Sequence, residues 1–164
     1  MVALSALAEH NELAAVIFRT DFTDEVGWRE VIAELERTSF DDEDPGDTFE
    51  IVGAPELDGS DPDAVLAAVA AQEKLRDQLR VVFVADATTV RPGHHALLAI
   101  TTRTRDECED DEEYTALTEF GRAFRTVPRG VHSIHANLEV ANMGFEEYAA
   151  LADADPEGVY RDYN

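Results

Sequence analysis

A chain of 164 residues with 45% hydrophobic and 8% aromatic side chains has the length and apolar content of one folded domain, which excludes a disordered polymer. Its 36 acids against 13 bases leave a formal charge of -23, which repels nucleic acid and anionic membranes and excludes both as direct partners. The single cysteine, Cys108, lies among Asp106, Glu107, Glu109 and Asp110. That excludes a disulfide framework and a cysteine-based metal site, and the neighbouring carboxylates oppose a reactive thiolate.

Residues 1–12 read as a short helix or loose arm, with Val2, Leu4, Leu7 and Ala8 able to lie on the body. The segment lacks a basic region and a long apolar region and carries Glu9 and Glu12, which argues against secretion. No apolar run approaches the ~18 residues a membrane span needs, so a cytoplasmic protein is expected. Ala14–Arg19 is a short apolar run of the kind found in a strand covered on both faces. Thr23 or Asp24 then opens a helix over residues 24–37, where Trp28, Val31, Ile32 and Leu35 recur at helical spacing. An acidic loop follows over residues 41–47, and Phe49–Val52 forms a second strand. Ser60-Asp61-Pro62-Asp63 carries a Ser-x-x-Asp capping pattern with proline in the first turn. The helix it opens places Val65, Val69, Leu75 and Leu79 on one stripe and leads into the buried strand Val81–Ala85 and then Asp86.

This strand–helix–strand–helix–strand order predicts a parallel βαβαβ unit. Ala96–Thr101 and Ala123–Val127 read as two further strands, with an acidic excursion and a short helix near 111–119 between them. Two helices finish the chain, about 131–142 and 145–153, divided at Gly144. The expected fold is α/β, an open mixed sheet of about five strands in a single domain over residues 1–164.

Asp21 follows the first strand and Asp86 the third. In open parallel sheets ligands collect at the carboxyl ends of strands, near the point where strand order reverses. Two carboxylates there suit a hard cation; they equally suit turn caps, which is the favoured reading. No glycine-rich phosphate loop accompanies either strand. A second set is His132, His135, Glu139 and Asn142, one residue along from the apolar stripe Val131, Ile134, Leu138 and Ala141. Two imidazoles and a carboxylate on one helix face are candidate metal ligands or a general base with its orienting acid. The favoured reading is a solvated or partner-facing edge. No cofactor is expected. Charge is uneven: residues 41–63 hold ten acids and no base, and residues 106–119 eight acids and no base. Arg122, Arg125 and Arg129 tip the balance the other way, to bind an anion or to pair with the surplus acids.

Val16-Ile17-Phe18-Arg19-Thr20-Asp21-Phe22-Thr23-Asp24 with Trp28 resembles the opening of an actinobacterial family, domain of unknown function 6924. Val82-Phe83-Val84-Ala85-Asp86 is similar to its central strand and aspartate. The closing stretch is similar too, from Phe124-Arg125-Thr126-Val127-Pro128 through Asn137-Leu138 and Ala141-Asn142-Met143 to Phe145-Glu146-Glu147-Tyr148. The likeness spans residues 14–162 and implies an actinobacterial cytoplasmic protein without bringing an activity. The departures bear on the sites. The family carries Trp and Glu where this chain has His132 and His135, and Ala136 replaces one of a paired Asn. The matching positions Arg19, Asp21, Arg125, Asn137, Asn142 and Glu146 are therefore the better candidates for a shared role, with Asp86 beside them. An asparagine near a helix end also serves as a cap.

Three functions remain open at this stage. The favoured one is a non-enzymatic acidic module that binds a protein with a basic face, in the manner of an immunity or regulatory partner. The alternative is an enzyme or binder of a small ligand or metal that uses a pocket at the carboxyl ends of the parallel strands, with Arg19, Asp21, Asp86 and Arg125 holding a polar substrate. The third is a homodimer formed through Phe145, Tyr148 and Leu151.

Overall fold

The computed structural model describes residues 15–37, 49–53, 57–72, 79–91, 95–140 and 142–161. The expected N-terminal arm over residues 1–12 and the acidic loop over residues 41–47 lie outside them. Six strands form one sheet in the order β2-β1-β3-β4-β5-β6. They are β1 (Ala15–Arg19), β2 (Phe49–Val52), β3 (Val81–Ala85), β4 (Leu97–Thr101), β5 (Ala123–Thr126) and β6 (Val159–Tyr160). β1 pairs in parallel with β2 and β3, β4 runs antiparallel to β3 and β5, and β6 is parallel to β5. Only β4 therefore points the other way. After β1 the chain steps outward to β2 and returns across β1 to β3, so strand order reverses between β1 and β3.

Helix α1 (Glu25–Arg37) buries Trp28, Val31 and Leu35 against Ile17, Phe83 and Leu97 on one face of the sheet. Helices α5 (Gly130–Glu139) and α6 (Phe145–Ala154) cover the rest of that face with Val131, Ile134, Phe145 and Tyr148. Helix α2 (Pro62–Ala70) covers the opposite face, packing Val65 and Val69 on Val16, Phe18, Val82 and Val84. This is the mixed α/β sheet expected, since β1 and β3 are buried at every position and carry the continuous apolar runs that a doubly covered strand requires.

Four details differ from the expectations. The cap of α2 is Asp61, not Ser60: Pro62 holds the first helical position, which forces the preceding residue into extended backbone, and Asp61 Oδ1 accepts from Ala64 N at 2.8 Å. The same helix ends at Ala70, so Leu79 is buried just ahead of β3 and not on the helix stripe, while Leu75 lies outside the described residues. A four-residue helix α3 (Ala87–Val90) follows Asp86. The sixth strand has only two residues, too few to leave a periodic signal, and forms because Gly158 turns the chain at φ +71. The short helix within the acidic excursion is α4 (Asp111–Leu117), capped by Asp110.

Asp155 holds β6 in place. Its carboxylate accepts from Arg161 Nε at 2.8 Å and from the backbone N–H groups of Glu157 and Val159. The Arg161 hydrogen bond, with those backbone donors, lowers its pKa from 3.8 to about 2. The folded value lies below the unfolded one, so the stabilisation is complete above ~pH 4 and is lost as pH falls through 2. Asp155→Asn should therefore lower the urea midpoint at about pH 6, and the gap to wild type should close as pH falls toward 2. Gly27 sets a second constraint: a Cβ there would meet the Val90 carbonyl oxygen at 1.9 Å. Gly27→Ala should cost about 1–3 kcal/mol, read by urea unfolding, because neither backbone can retreat without moving α1 or α3.

Candidate functional site

The carboxyl ends of β1, β3 and β5 share one edge of the sheet with the start of β4, and the charged residues singled out in the sequence divide into two groups there. Asp86 and Arg125 come together. Arg125 Nη1 and Nη2 donate to Asp86 Oδ1 and Oδ2 at 2.8 Å each, a bidentate pair reaching across β4, and Nη1 also lies 3.3 Å from the Ala96 carbonyl. Asp86 also caps α3: its Oδ1 accepts from Thr88 N and Thr89 N, while Thr89 Oγ1 accepts from Asp86 N and donates to the Ala96 carbonyl at 2.8 Å. Partial burial alone would raise the Asp86 pKa. The Arg125 hydrogen bond and charge and the Thr89 contacts outweigh it and hold the carboxyl below 3.8.

Arg19 does not join this pair. Ile17 and Arg19 alternate onto the α1 face, whereas Ala123 and Arg125 alternate onto the α2 face. Arg19 is 2% exposed, with its guanidinium 4.5 Å from the Phe22 ring centroid and 4.7 Å from that of Trp28. Its Nε donates to the Asp21 carbonyl at 3.0 Å and its Nη2 to Glu25 Oε1 at 2.6 Å. Asp21 turns back on its own loop, accepting from Thr23 N and Thr23 Oγ1. The helix cap is Asp24, whose Oδ1 accepts from Gly27 N at 2.8 Å.

His95 is a residue of this edge that pattern reasoning missed. It adopts φ 52, and its Nδ1 and Nε2 lie 2.9 Å from the Thr89 carbonyl and from Glu30 Oε2. Glu30 is 65 positions away, so only the tertiary fold reveals the pairing.

His132 and His135 are each 3% exposed, which overturns the reading of their helix face as a solvated or partner-facing edge. The buried side of α5 is wider than its apolar stripe because the end of α1 packs beside it: His132 Nε2 lies 3.3 Å from the Leu35 carbonyl and its ring 5.8 Å from Phe49. Glu139 stays exposed, so the three candidate ligands do not share an environment. Among the described residues no group of three or more His, Cys, Asp or Glu side chains converges as metal ligands would. Asn137 and Asn142 do come together. Asn137 Nδ2 donates to the Ser133 carbonyl and to Tyr148 Oη, and its Oδ1 accepts from Asn142 Nδ2 at 3.0 Å, which ties α5 to α6. Tyr148 and Phe145 are core residues at 1% and 2% exposure; of the three residues read as a dimer contact, Leu151 alone reaches solvent.

Two open grooves lie at the opposite edge, where β4 ends and β3 and β5 begin. One of about 410 Å³ runs between Leu66 and Val69 of α2 and Thr102, Thr104, Glu107 and Arg122. The other, about 430 Å³, lies on the other face between Arg80, Arg103 and the α5–α6 turn, with Glu139 and Glu146 at its wall. Glu146 thus sits far from Asp86 and Arg125.

Residues 14–163 match the model of the DUF6924 family, a domain of unknown function. The chain belongs to that family. No curated protein matches it. Within this DUF6924 domain no helix among the described residues is long and apolar enough to cross a membrane.

The Asp86–Arg125 pair generates a direct test. Each side chain is about a quarter exposed, 28% and 26%, so solvent screens part of the attraction. Arg125→Met should destabilise the fold more than Asp86→Asn combined with Arg125→Met, with a double-mutant coupling of about 1–2 kcal/mol in urea unfolding. Because the Asp86 pKa is lowered on folding, that coupling should fade as pH drops below ~4.

Proposed function

We propose that this DUF6924 domain is a non-enzymatic acidic module of an actinobacterial cytoplasm that binds a protein with a basic face. The observation that carries the reading is how the arginines are used. Arg19, Arg125 and Arg161 each pair with carboxylates at a junction between elements, and Arg103 and Arg105 pair with Glu113 and Asp111 of α4. These five arginines serve structural pairs, and the chain as a whole keeps a net charge of -23. Residues 106–119 then present Asp106, Glu107, Glu109, Asp110, Asp111, Glu112 and Glu119 exposed. A field of one sign on a rigid capped helix accelerates encounter with a basic surface and disfavours acidic competitors.

The strand-end edge supports the same reading. The side chains that a polar substrate would need are engaged with each other: Asp86 with Arg125, Arg19 with Glu25 and the Asp21 carbonyl, and His95 with Glu30. A ligand there has to displace bonds already made at 2.6–3.0 Å.

The test is capture from host lysate at low and high salt, with wild type and with a variant carrying Asp106→Asn, Glu109→Gln, Glu112→Gln and Glu119→Gln. Wild type should retain one basic partner at low salt and release it at high salt. The variant should fold with an unchanged or higher Tm, since it loses self-repulsion, and should retain about a tenth of that partner or less. Equal retention by the folded variant would overturn the reading.

A further inference from the structure

The groove at the α5–α6 turn balances its charges, unlike the chain as a whole. In a chain of 36 acids and 13 bases, its wall holds two guanidiniums, Arg80 and Arg103, and two carboxylates, Glu139 and Glu146. Leu138 and Met143 supply an apolar surface beside them. Arg103 is held in place without being used up: Nη2 donates to Glu113 Oε1 at 2.6 Å, and its Nε and Nη1 make no hydrogen bond among the described residues. Arg80 forms no ion pair with a described residue and is exposed at the amino end of β3. Glu146 is half-buried, its carboxylate turned back over the Cα of Gly144, where a Cβ would meet Oε1 at 2.4 Å.

We propose that this groove is a binding site for a small zwitterion with an apolar tail, of the class of an aliphatic α-amino acid. The argument is one of elimination by charge. A simple anion meets Glu139 and Glu146 in the same groove, and it first has to approach a molecule of charge -23. A simple cation is drawn in but then faces Arg80 and Arg103. A zwitterion carries no net charge to be repelled at long range, and its carboxylate takes the free guanidinium donors in the fork geometry that arginine presents. Its ammonium meets Glu146, and its aliphatic tail lies against Leu138 and Met143. A volume of about 430 Å³ admits such a molecule, and an apolar lining with a few convergent polar groups is the ordinary make-up of a small-ligand site. This inference does not depend on the protein-partner reading, because none of the four acids neutralised to test that reading, Asp106, Glu109, Glu112 and Glu119, lines the groove.

L-leucine is the probe, with 4-methylpentanoate and 3-methylbutylamine as analogues that keep the tail and one charge each. Binding is followed by calorimetry and by NMR shifts of the Leu138 and Met143 methyl groups. Leucine should bind saturably in the millimolar range or below, and each analogue about tenfold or more weaker. Arg80→Gln should weaken leucine about as much as removing its carboxylate does, and Glu146→Gln about as much as removing its ammonium does. Absence of saturable leucine binding would overturn the proposal, as would an analogue binding as tightly as leucine. The analogue comparison uses wild-type protein alone, so it decides even where a variant is less stable.

Discussion

Because β3 pairs in parallel with β1 and antiparallel with β4, one five-residue segment joins both halves of the sheet. Val81, Val82, Phe83 and Ala85 are 0% exposed and Val84 2%, so neither face of this strand offers a place for a polar group. All chemistry is thereby pushed to the two ends of the strands. Within the sheet the buried polar residues follow that rule: Arg19 and Thr20 close β1, Thr101 closes β4 and Thr126 closes β5, while Thr89, His132 and His135 lie on helices. The ends are joined by specific bonds, such as Thr20 N to the Ala85 carbonyl at 3.0 Å and Thr102 N to the Arg80 carbonyl at 3.2 Å. Register at the centre thus determines which charges meet at the edges.

Charge surplus is the second constraint, and the arginines are placed where it is most dangerous. Arg19 lies between Phe22 and Trp28 with Glu25 on its fork, which joins the end of β1 to the first turn of α1. Arg125 joins β5 to β3 across β4 through Asp86, and Arg161 draws the C-terminal strand onto Asp155. Arginine suits these positions because its planar fork satisfies two acceptors at once and because its charge persists at every pH where the protein is folded. The same economy leaves α4 and its flanks negative, with Arg103 and Arg105 anchoring that segment to the body.

Much of the fold was legible in the sequence because doubly buried strands and amphipathic helices leave strong periodic signals. The runs at 15–19 and 81–85 and the Trp28–Val31–Leu35 stripe are of this kind. What stayed hidden was short or non-local. Val159–Tyr160 and Ala87–Val90 are too brief to show a period, and the first pairs with β5 across 34 positions of sequence. The proline rule at Pro62 outranked the Ser60 motif. His132 and His135 were misplaced because a helical wheel shows one apolar stripe but not the second neighbour that widens it, here the Leu35 end of α1. At the candidate edge the Asp86–Arg125 pairing was accessible as a possibility, since both residues end strands of the same sheet. The separation of Arg19 from it follows from strand alternation once the order is known, and the His95–Glu30 contact has no local trace.

The antiparallel strand sets what each edge of the sheet presents. In an all-parallel sheet the carboxyl ends converge on one edge, and the crevice at the strand reversal is the natural ligand site. Here β4 enters that edge from the opposite direction, and its leading residues Ala96 and His95 fill the crevice with acceptors and an imidazole. Among the described residues the charged side chains of that edge bond to one another. The carboxyl end of β4 emerges instead between the amino ends of β3 and β5, and the chain leaving it passes through Thr102, Arg103 and Thr104 before α4 begins. Side chains alternate along that exit, so Thr102 and Thr104 line the groove on the α2 face and Thr101 and Arg103 the groove on the α6 face. The exit of the one reversed strand thus divides the two grooves between opposite faces of the sheet.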